Sequence, residues 1–293
     1  MSEPLFDKEF LKKLEYLNLI ARRLVFGRNQ AMRQSVKKGA SIEFKDYRDY
    51  TPGDDLRIVD WAAYARTDEL YVKVFRQEEE LDLWILLDTS GSMHFGTPNK
   101  FVYARRVAAA LAYIGMCNMD SSSVLPFSHD LQAGRVHDRG RGRIFDLLDF
   151  LTDLDANGQT DLQTSTQRFL TRVRRPGLVV LISDFYGLTE AQDALDRLRF
   201  FKHQIFLVQV ASPWEVDPDV RGDRRFIDVE SRAHCDLTVT DTMLRKYHTA
   251  FHTMGETLKQ YGMKHAIGYA LAQTNTPFDV FVRSLLEYGG LLA

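Results

Sequence analysis

The sequence predicts an α/β protein: a doubly wound, mostly parallel sheet of the Rossmann type, preceded by an N-terminal helix and a small N-terminal extension. Three observations predict it. Leu83-Trp84-Ile85-Leu86-Leu87 and Leu178-Val179-Val180-Leu181-Ile182 are continuous apolar runs. Neither alternates with polar residues, so each suits a strand covered on both faces, as in a parallel sheet. Each run leads into a carboxylate, Asp88 and Asp184. Finally, helical and strand-like segments alternate along most of the chain, the pattern of a parallel sheet with crossover helices.

The elements follow in order. Phe10, Leu14, Leu17 and Leu24 fall near helical spacing within residues 6–25, with Lys12, Lys13, Arg22 and Arg23 on other faces. The chain therefore opens with an amphipathic helix that must pack against something. Residues 27–42 are basic and polar, with Arg28, Arg33, Lys37 and Lys38. A solvated loop is the plain expectation, and phosphate or partner binding the sharper one. Residues 43–75 interleave charges of both signs with aromatics around the turn signal Pro52-Gly53. They predict an ordered loop and a short helix whose Arg and Asp residues pair. Residues 71–75 predict a strand, and 77–82 an acidic connection into the strand 82–88.

A helix over 99–117 turns Phe101, Val107, Leu111 and Ile114 inward, and 122–127 is a short strand. Gly140-Arg141-Gly142-Arg143 opens a helix over about 143–152. It lacks the Gly-Lys-Ser/Thr ending of a phosphate loop. Helix 161–173, strand 177–183, helix 188–200 and strand 204–210 continue the alternation. Residues 213–238 read as an insertion, with a hairpin at 226–229 and 237–239. Met243, Tyr247, Phe251, Met254, Leu258 and Tyr261 recur at steps of four and three, marking a helix over 240–261 whose stripe is core. Residues 264–271 predict the last strand and 278–288 a final helix. The expected division is residues 1–76 as helix and extension, and 77–293 as the sheet domain.

Bulk properties narrow the function classes. The chain has 293 residues, 45% of them hydrophobic, with a formal net charge of -2. It can bury a full core, and neither its charge nor any dense basic run beside aromatics points to a nucleic-acid partner. Cys117 and Cys235 are isolated, which argues for a reducing compartment and against a zinc site. The first residues, Met1-Ser2-Glu3-Pro4-Leu5-Phe6-Asp7, lack the apolar block of a signal peptide. The longest apolar segment, 107–117, is short of the roughly 20 residues a bilayer demands. The expectation is a cytoplasmic protein without direct membrane insertion.

The segment Asp88-Thr89-Ser90-Gly91-Ser92 carries the chemistry. A buried strand ends in a carboxylate, Gly91 permits a sharp turn, and Ser90 and Ser92 add hydroxyls. All three side chains offer oxygen, which hard cations prefer. Thr160 is presented by the glycine-opened loop Gly158-Gln159-Thr160-Asp161, and Asp184 ends the second apolar run. Ligands of doubly wound sheets bind beyond the carboxyl ends of strands, at the point where strand order reverses. Asp88 and Asp184 meet there if their strands are neighbours. The alternative is that Asp88, Asp184 and Thr160 merely cap helix starts.

Asp88, Ser90, Ser92, Thr160 and Asp184 together resemble the metal-ion-dependent adhesion site of von Willebrand factor type A domains. The resemblance implies a von Willebrand factor type A-like fold and a bound Mg2+, with Mn2+ or Ca2+ as alternatives. One coordination position would be left for an acidic side chain of a protein partner. Upstream, Glu43-Phe44, Arg48-Asp49-Tyr50-Thr51-Pro52-Gly53-Asp54-Asp55, Arg57-Ile58-Val59-Asp60-Trp61 and Ala65-Arg66-Thr67 closely resemble the signature of a bacterial family, domain of unknown function 58. Only Val59, inside the Arg-Ile-Asp-Trp block, departs from it. This second resemblance, covering roughly residues 38–190, implies a MoxR-type AAA+ ATPase partner and chaperone-like assembly, maturation or metal insertion for a client protein.

Enzymatic readings fit less well. An aspartyl phosphatase wants a second carboxylate where Ser90 stands, and a serine hydrolase wants G-x-S-x-G where Asp88 opens the turn. His94 reads as a surface histidine at a helix start. The expected protein is a non-enzymatic, metal-dependent binding adaptor. A metal-assisted hydrolase and a metal-free scaffold remain as alternatives.

Overall fold

The structure, a computed structural model, describes residues 5–33, 43–76, 82–118, 121–186, 188–230 and 232–288. The chain forms two compact units, Phe26–Glu80 and Met1–Val25 with Leu81–Ala293. This differs from a division after residue 76, and the reason lies in the first helix. In α1 (Lys8–Arg33), Phe10, Leu14, Leu17 and Ala21 are buried in the core of the larger unit. Each fully buried leucine there contributes about 2 kcal/mol, and the Phe10 ring lies 4.8 Å from that of Phe278. Helix α1 also runs past residue 25, so 27–33 is helix rather than loop. The basic positions Lys37 and Lys38 and the acidic connection at 77–81 lie outside the described residues.

The smaller unit is a hairpin with a capped helix. Strand β1 (Glu43–Asp49) pairs antiparallel with β2 (Tyr71–Arg76), so the start of the signature is a strand and not a loop. A 3-10 turn at Leu56–Ile58 leads to α2 (Trp61–Thr67). The buried Asp60 caps α2, accepting from the Ala62 and Ala63 backbone N–H groups, and its other oxygen accepts the Tyr47 hydroxyl at 2.7 Å. Arg48 clamps the Pro52-Gly53 turn through two hydrogen bonds to Asp54, at 2.7 and 2.8 Å.

The larger unit is built on a six-stranded sheet. Its strands are β3 (Asp82–Asp88), β4 (Ser121–Phe127), β5 (Arg135–Asp138), β6 (Leu178–Ser183), β7 (Gln204–Ala211) and, after the insertion, β10 (Gly268–Gln273). The order across the sheet is β10-β7-β6-β3-β4-β5, parallel except for β5 at one edge. Side chains of β3 alternate between two cores. Leu83, Ile85 and Leu87 pack beside α1, α3 (Lys100–Cys117), α4 (Ile144–Asp153) and α9 (Phe278–Tyr288). Trp84 and Leu86 pack beside α5 (Leu162–Arg172), α6 (Leu188–Phe200) and α8 (Asp241–His265). Two covered faces account for the unalternating apolar runs.

Three boundaries differ from the sequence expectation. Strand β5 carries only four residues and leaves a weak signal. The insertion forms α7 (Pro213–Val216) and a hairpin of β8 (Gly222–Ile227) with β9 (His234–Val239), starting earlier than expected on both arms. Helix α8 continues through His265 and ends where Ala266 adopts a left-handed conformation, so the last strand begins at Gly268 rather than 264. In the α8 stripe, Phe251 and Leu258 are buried but Met243 is exposed, so the stripe is only partly core. Among the described residues, no helix is long and apolar enough to cross a membrane.

Candidate functional site

Asp88 is the last residue of β3, and Asp184 directly follows β6, the neighbouring strand. The chain leaves β3 for β4 on one side, while β6 lies on the other. The two carboxylates therefore meet at the carboxyl edge where strand order reverses, the place such sheets use for ligands.

Local hydrogen bonds organise the turn after β3. Asp88 is fully buried. Its Oδ1 accepts from the Ser90 backbone N–H at 2.8 Å, and its Oδ2 from the Ser183 hydroxyl at 2.6 Å. The Ser90 and Ser92 hydroxyl oxygens lie 3.0 Å apart. The 157–160 loop docks onto this turn through its backbone: Asn157 N–H donates to Thr89 O, and Gly91 N–H donates to Gly158 O, both at 2.8 Å. Gly158 holds φ +84°, a conformation that favours glycine. Thr160, half-buried, sits two residues on. It is not the cap of α5, because Asp161 fills that role by accepting from Thr164 N–H. No side-chain hydrogen bond among the described residues ties Thr160 to the other four.

The structure adds a group that sequence reasoning missed. Lys100, at the first position of α3, is fully buried and donates to Asp184 Oδ2 at 2.8 Å and to Glu215 Oε1 at 2.6 Å. Glu215 belongs to the capping box of α7, where its Oε2 accepts from Ser212 N–H, and its Oε1 also accepts the Tyr186 hydroxyl at 2.9 Å. A lysine is rarely buried, and a cation at a helix N-terminus opposes the helix dipole. The two carboxylates offset both costs. Ser212-Pro213-Trp214-Glu215 has the capping-box pattern of a helix start, which the reading of 213–238 as an insertion passed over, and nothing local marks its glutamate as the partner of Lys100.

Electrostatics set the character of the site. Asp88, Asp184 and Glu215 are at most 5% exposed. When ionised, these three carboxylates face one ammonium, which leaves a net charge of -2 in a buried place. Burial, and secondarily the Asp184 charge, pushes the Asp88 carboxyl up to about 7 despite the Ser183 and Ser90 hydrogen bonds. Burial alone would lower the Lys100 ammonium, but Asp184 and Glu215 outweigh it and raise it above its ordinary value. Such a cluster is costly without further positive charge. Its donors are all oxygen, from two carboxylates and three hydroxyls in the set, which fits a hard divalent cation in chemistry and in charge. Among the described residues, no group of three or more His, Cys, Asp or Glu side chains is arranged to hold a metal ion; an ion here would depend on the hydroxyls. His94 is exposed in the 3-10 turn Gly91–His94.

The hairpin of the insertion reaches this site. A methyl group placed on Gly91 would lie 3.3 Å from Gly158 O, 3.6 Å from Val229 Cγ1 and 3.6 Å from Glu230 Cγ. The Thr160 loop and the tip of the β8–β9 hairpin thus converge on the turn between Ser90 and Ser92.

Fold and site together define an α/β protein with an acid and hydroxyl cluster at the switch point of a mostly parallel sheet. The chain belongs to the family described as protein of unknown function DUF58, which matches residues 46–257. An uncharacterized protein of Mycobacterium tuberculosis is 29% identical over 232 residues, 77% of this chain and 72% of that one, and one of Mycobacterium bovis matches to the same extent. Among solved structures, the conserved hypothetical protein BatB from Bacteroides thetaiotaomicron is 14% identical with a TM-score of 0.43, over 71% of this chain and 98% of that one. An aerotolerance-related membrane protein from Bacteroides fragilis is 15% identical with a TM-score of 0.41, over 72% and 96%.

Proposed function

We propose that this chain is a metal-dependent protein-binding adaptor whose larger unit is a von Willebrand factor type A-like domain. In this reading Asp88, Ser90, Ser92, Thr160 and Asp184 hold Mg2+, with Mn2+ or Ca2+ as substitutes, and the ion captures an acidic side chain of a partner. The observation that carries it is the burial of three carboxylates, Asp88, Asp184 and Glu215, with a single ammonium, Lys100, a cluster that reaches a net charge of -2 once Asp88 ionises. A divalent ion neutralises that charge. Neutral hydroxyl ligands leave the ion electrophilic toward an incoming carboxylate. Family resemblance supplies the proposed partners, a MoxR-type AAA+ ATPase and a client protein, in a cytoplasmic chaperone-like role; it is an argument by analogy.

A metal-free scaffold is the second reading, and the Lys100 ion pairs favour it: the ammonium already occupies one Asp184 oxygen. Calorimetric titration of chelator-stripped protein with Mg2+ and Mn2+, beside Asp88→Ala, separates the two. The adaptor reading expects saturable binding that Asp88→Ala abolishes, together with cation-dependent capture of the ATPase. Absence of ion binding, with partner capture intact in chelator, would leave the scaffold. Turnover of a phosphoester or peptide by the Mg2+- or Mn2+-loaded protein, lost in Asp88→Ala, would instead favour a hydrolase.

A further inference from the structure

The insertion between β7 and α8 is not needed to close the sheet, yet its hairpin is aimed at the site. Tip residues Val229 and Glu230 pack on Gly91, the residue between the two serines of the cluster. Glu230 is half-buried, and among the described residues no hydrogen bond or ion pair engages its carboxylate; its backbone N–H donates to Asp228 at 3.2 Å. The other acids on this hairpin differ. Asp236 is paired with Arg225 at 2.7 and 2.9 Å, and Asp223 accepts the Thr238 hydroxyl. An unpaired acid beside a cluster of buried carboxylates adds repulsion when they are ionised, and a divalent cation in the cluster removes it.

We propose that Glu230 is an internal carboxylate ligand for the cation site, carried on the β8–β9 hairpin. It takes the coordination position that the adaptor reading reserves for a partner's acidic side chain. The inference rests on that reading and deepens it. An external acidic segment binds only by displacing Glu230, so the hairpin sets the threshold for capture: weak or single carboxylates are excluded, and a partner must also move the hairpin tip. The loop from residue 157 to 160 also reaches Gly91, through Gly158 O, and has no acid of its own until Asp161, which is engaged in capping α5.

The test uses full-length, chelator-stripped protein and Mn2+ as probe, in wild type, Glu230→Gln and Asp88→Ala. Calorimetry gives affinity, and water-proton relaxation reports how many waters the bound Mn2+ keeps. Glu230→Gln preserves shape and removes charge from a half-buried tip, so its thermal melt should match wild type. The expected result is Mn2+ binding weakened on the order of tenfold, with relaxivity raised as water takes the vacated position. A short glutamate-containing peptide should then bind the Mn2+-loaded variant more tightly than the wild type. Unchanged affinity and relaxivity in Glu230→Gln, with binding abolished in Asp88→Ala, would overturn the internal ligand and leave the ion site standing. A loss that disappears in high salt would mean long-range charge rather than ligation, and would also overturn it. No Mn2+ binding in wild type would remove the site itself and the inference with it.

Discussion

One ion pair from each unit makes the contrast between an exposed pair and a buried one. In the smaller unit, Arg48 and Asp54 pair across a turn, with the arginine side chain 47% exposed. In the larger, Lys100 is fully buried between Asp184 and Glu215. The first arrangement is screened by water and salt, and it orders a turn. The second concentrates three carboxylates and one ammonium where neither water nor salt can compensate them. The contrast separates a family signature that organises local structure from a cluster that sequence reading noticed only in part. Charges in the signature are satisfied by near neighbours; those at the sheet edge come from segments as much as 115 positions apart.

The largest effect that would sharpen this contrast is expected at Lys100. Lys100→Met leaves Asp184 and Glu215 buried without their cation, and removing one partner of such a pair costs about 3–5 kcal/mol. Chemical denaturation in chelator should show that loss, and saturating Mg2+ should restore part of it if the cluster binds the ion. Equal destabilisation with and without Mg2+ would break the link between charge and cation.

Next in size is the pH dependence. The Asp88 carboxyl is raised from 3.8 to about 7 by burial and then by Asp184. A raised carboxyl keeps its proton longer in the folded state, so rising pH strips the unfolded chain first and favours unfolding. In chelator, stability should fall as pH rises from about 4 to about 7. Ion binding needs the ionised form, so the Mg2+-induced rise in melting temperature should grow across that window. Thermal melts at pH 5 and pH 8 check both signs.

Effects in the smaller unit should be modest. Asp60→Ala removes the α2 cap and the Tyr47 partner together, and loss of a cap typically costs about 1 kcal/mol. Arg48→Ala should produce the smallest change, further reduced by salt. A loss at Arg48 rivalling that at Lys100 would erase the distinction between the two regions.

Much of this organisation was legible along the chain. The runs ending at Asp88 and Asp184 read as doubly covered strands because burial on both faces removes polar alternation, and helices α3, α5, α6 and α9 lie within a residue of their expected ranges. The short edge strand β5, the register of the β8–β9 hairpin and the end of α8 were not legible. Short or exposed strands leave little hydrophobic pattern, and a helix end set by Ala266 lacks the usual glycine signal. In the candidate site, the acids and hydroxyls stood out as residue types at strand ends. Lys100, Glu215, Ser183 and Glu230 did not, since each is an ordinary residue for a helix start, a capping box, a strand end or a hairpin tip.

By itself, the sequence determined the class of sheet, the two strand ends that carry Asp88 and Asp184, and the oxygen-bearing residue types near them. These follow from periodicity and residue chemistry, which are local. The tertiary structure alone decided that β3 and β6 are neighbours, that α1 as far as Val25 joins the larger unit, that Lys100 is buried between two acids, and that the hairpin tip rests on Gly91. Those outcomes depend on packing and charge compensation between distant segments, and no local pattern encodes the sign or the depth of a neighbour's field.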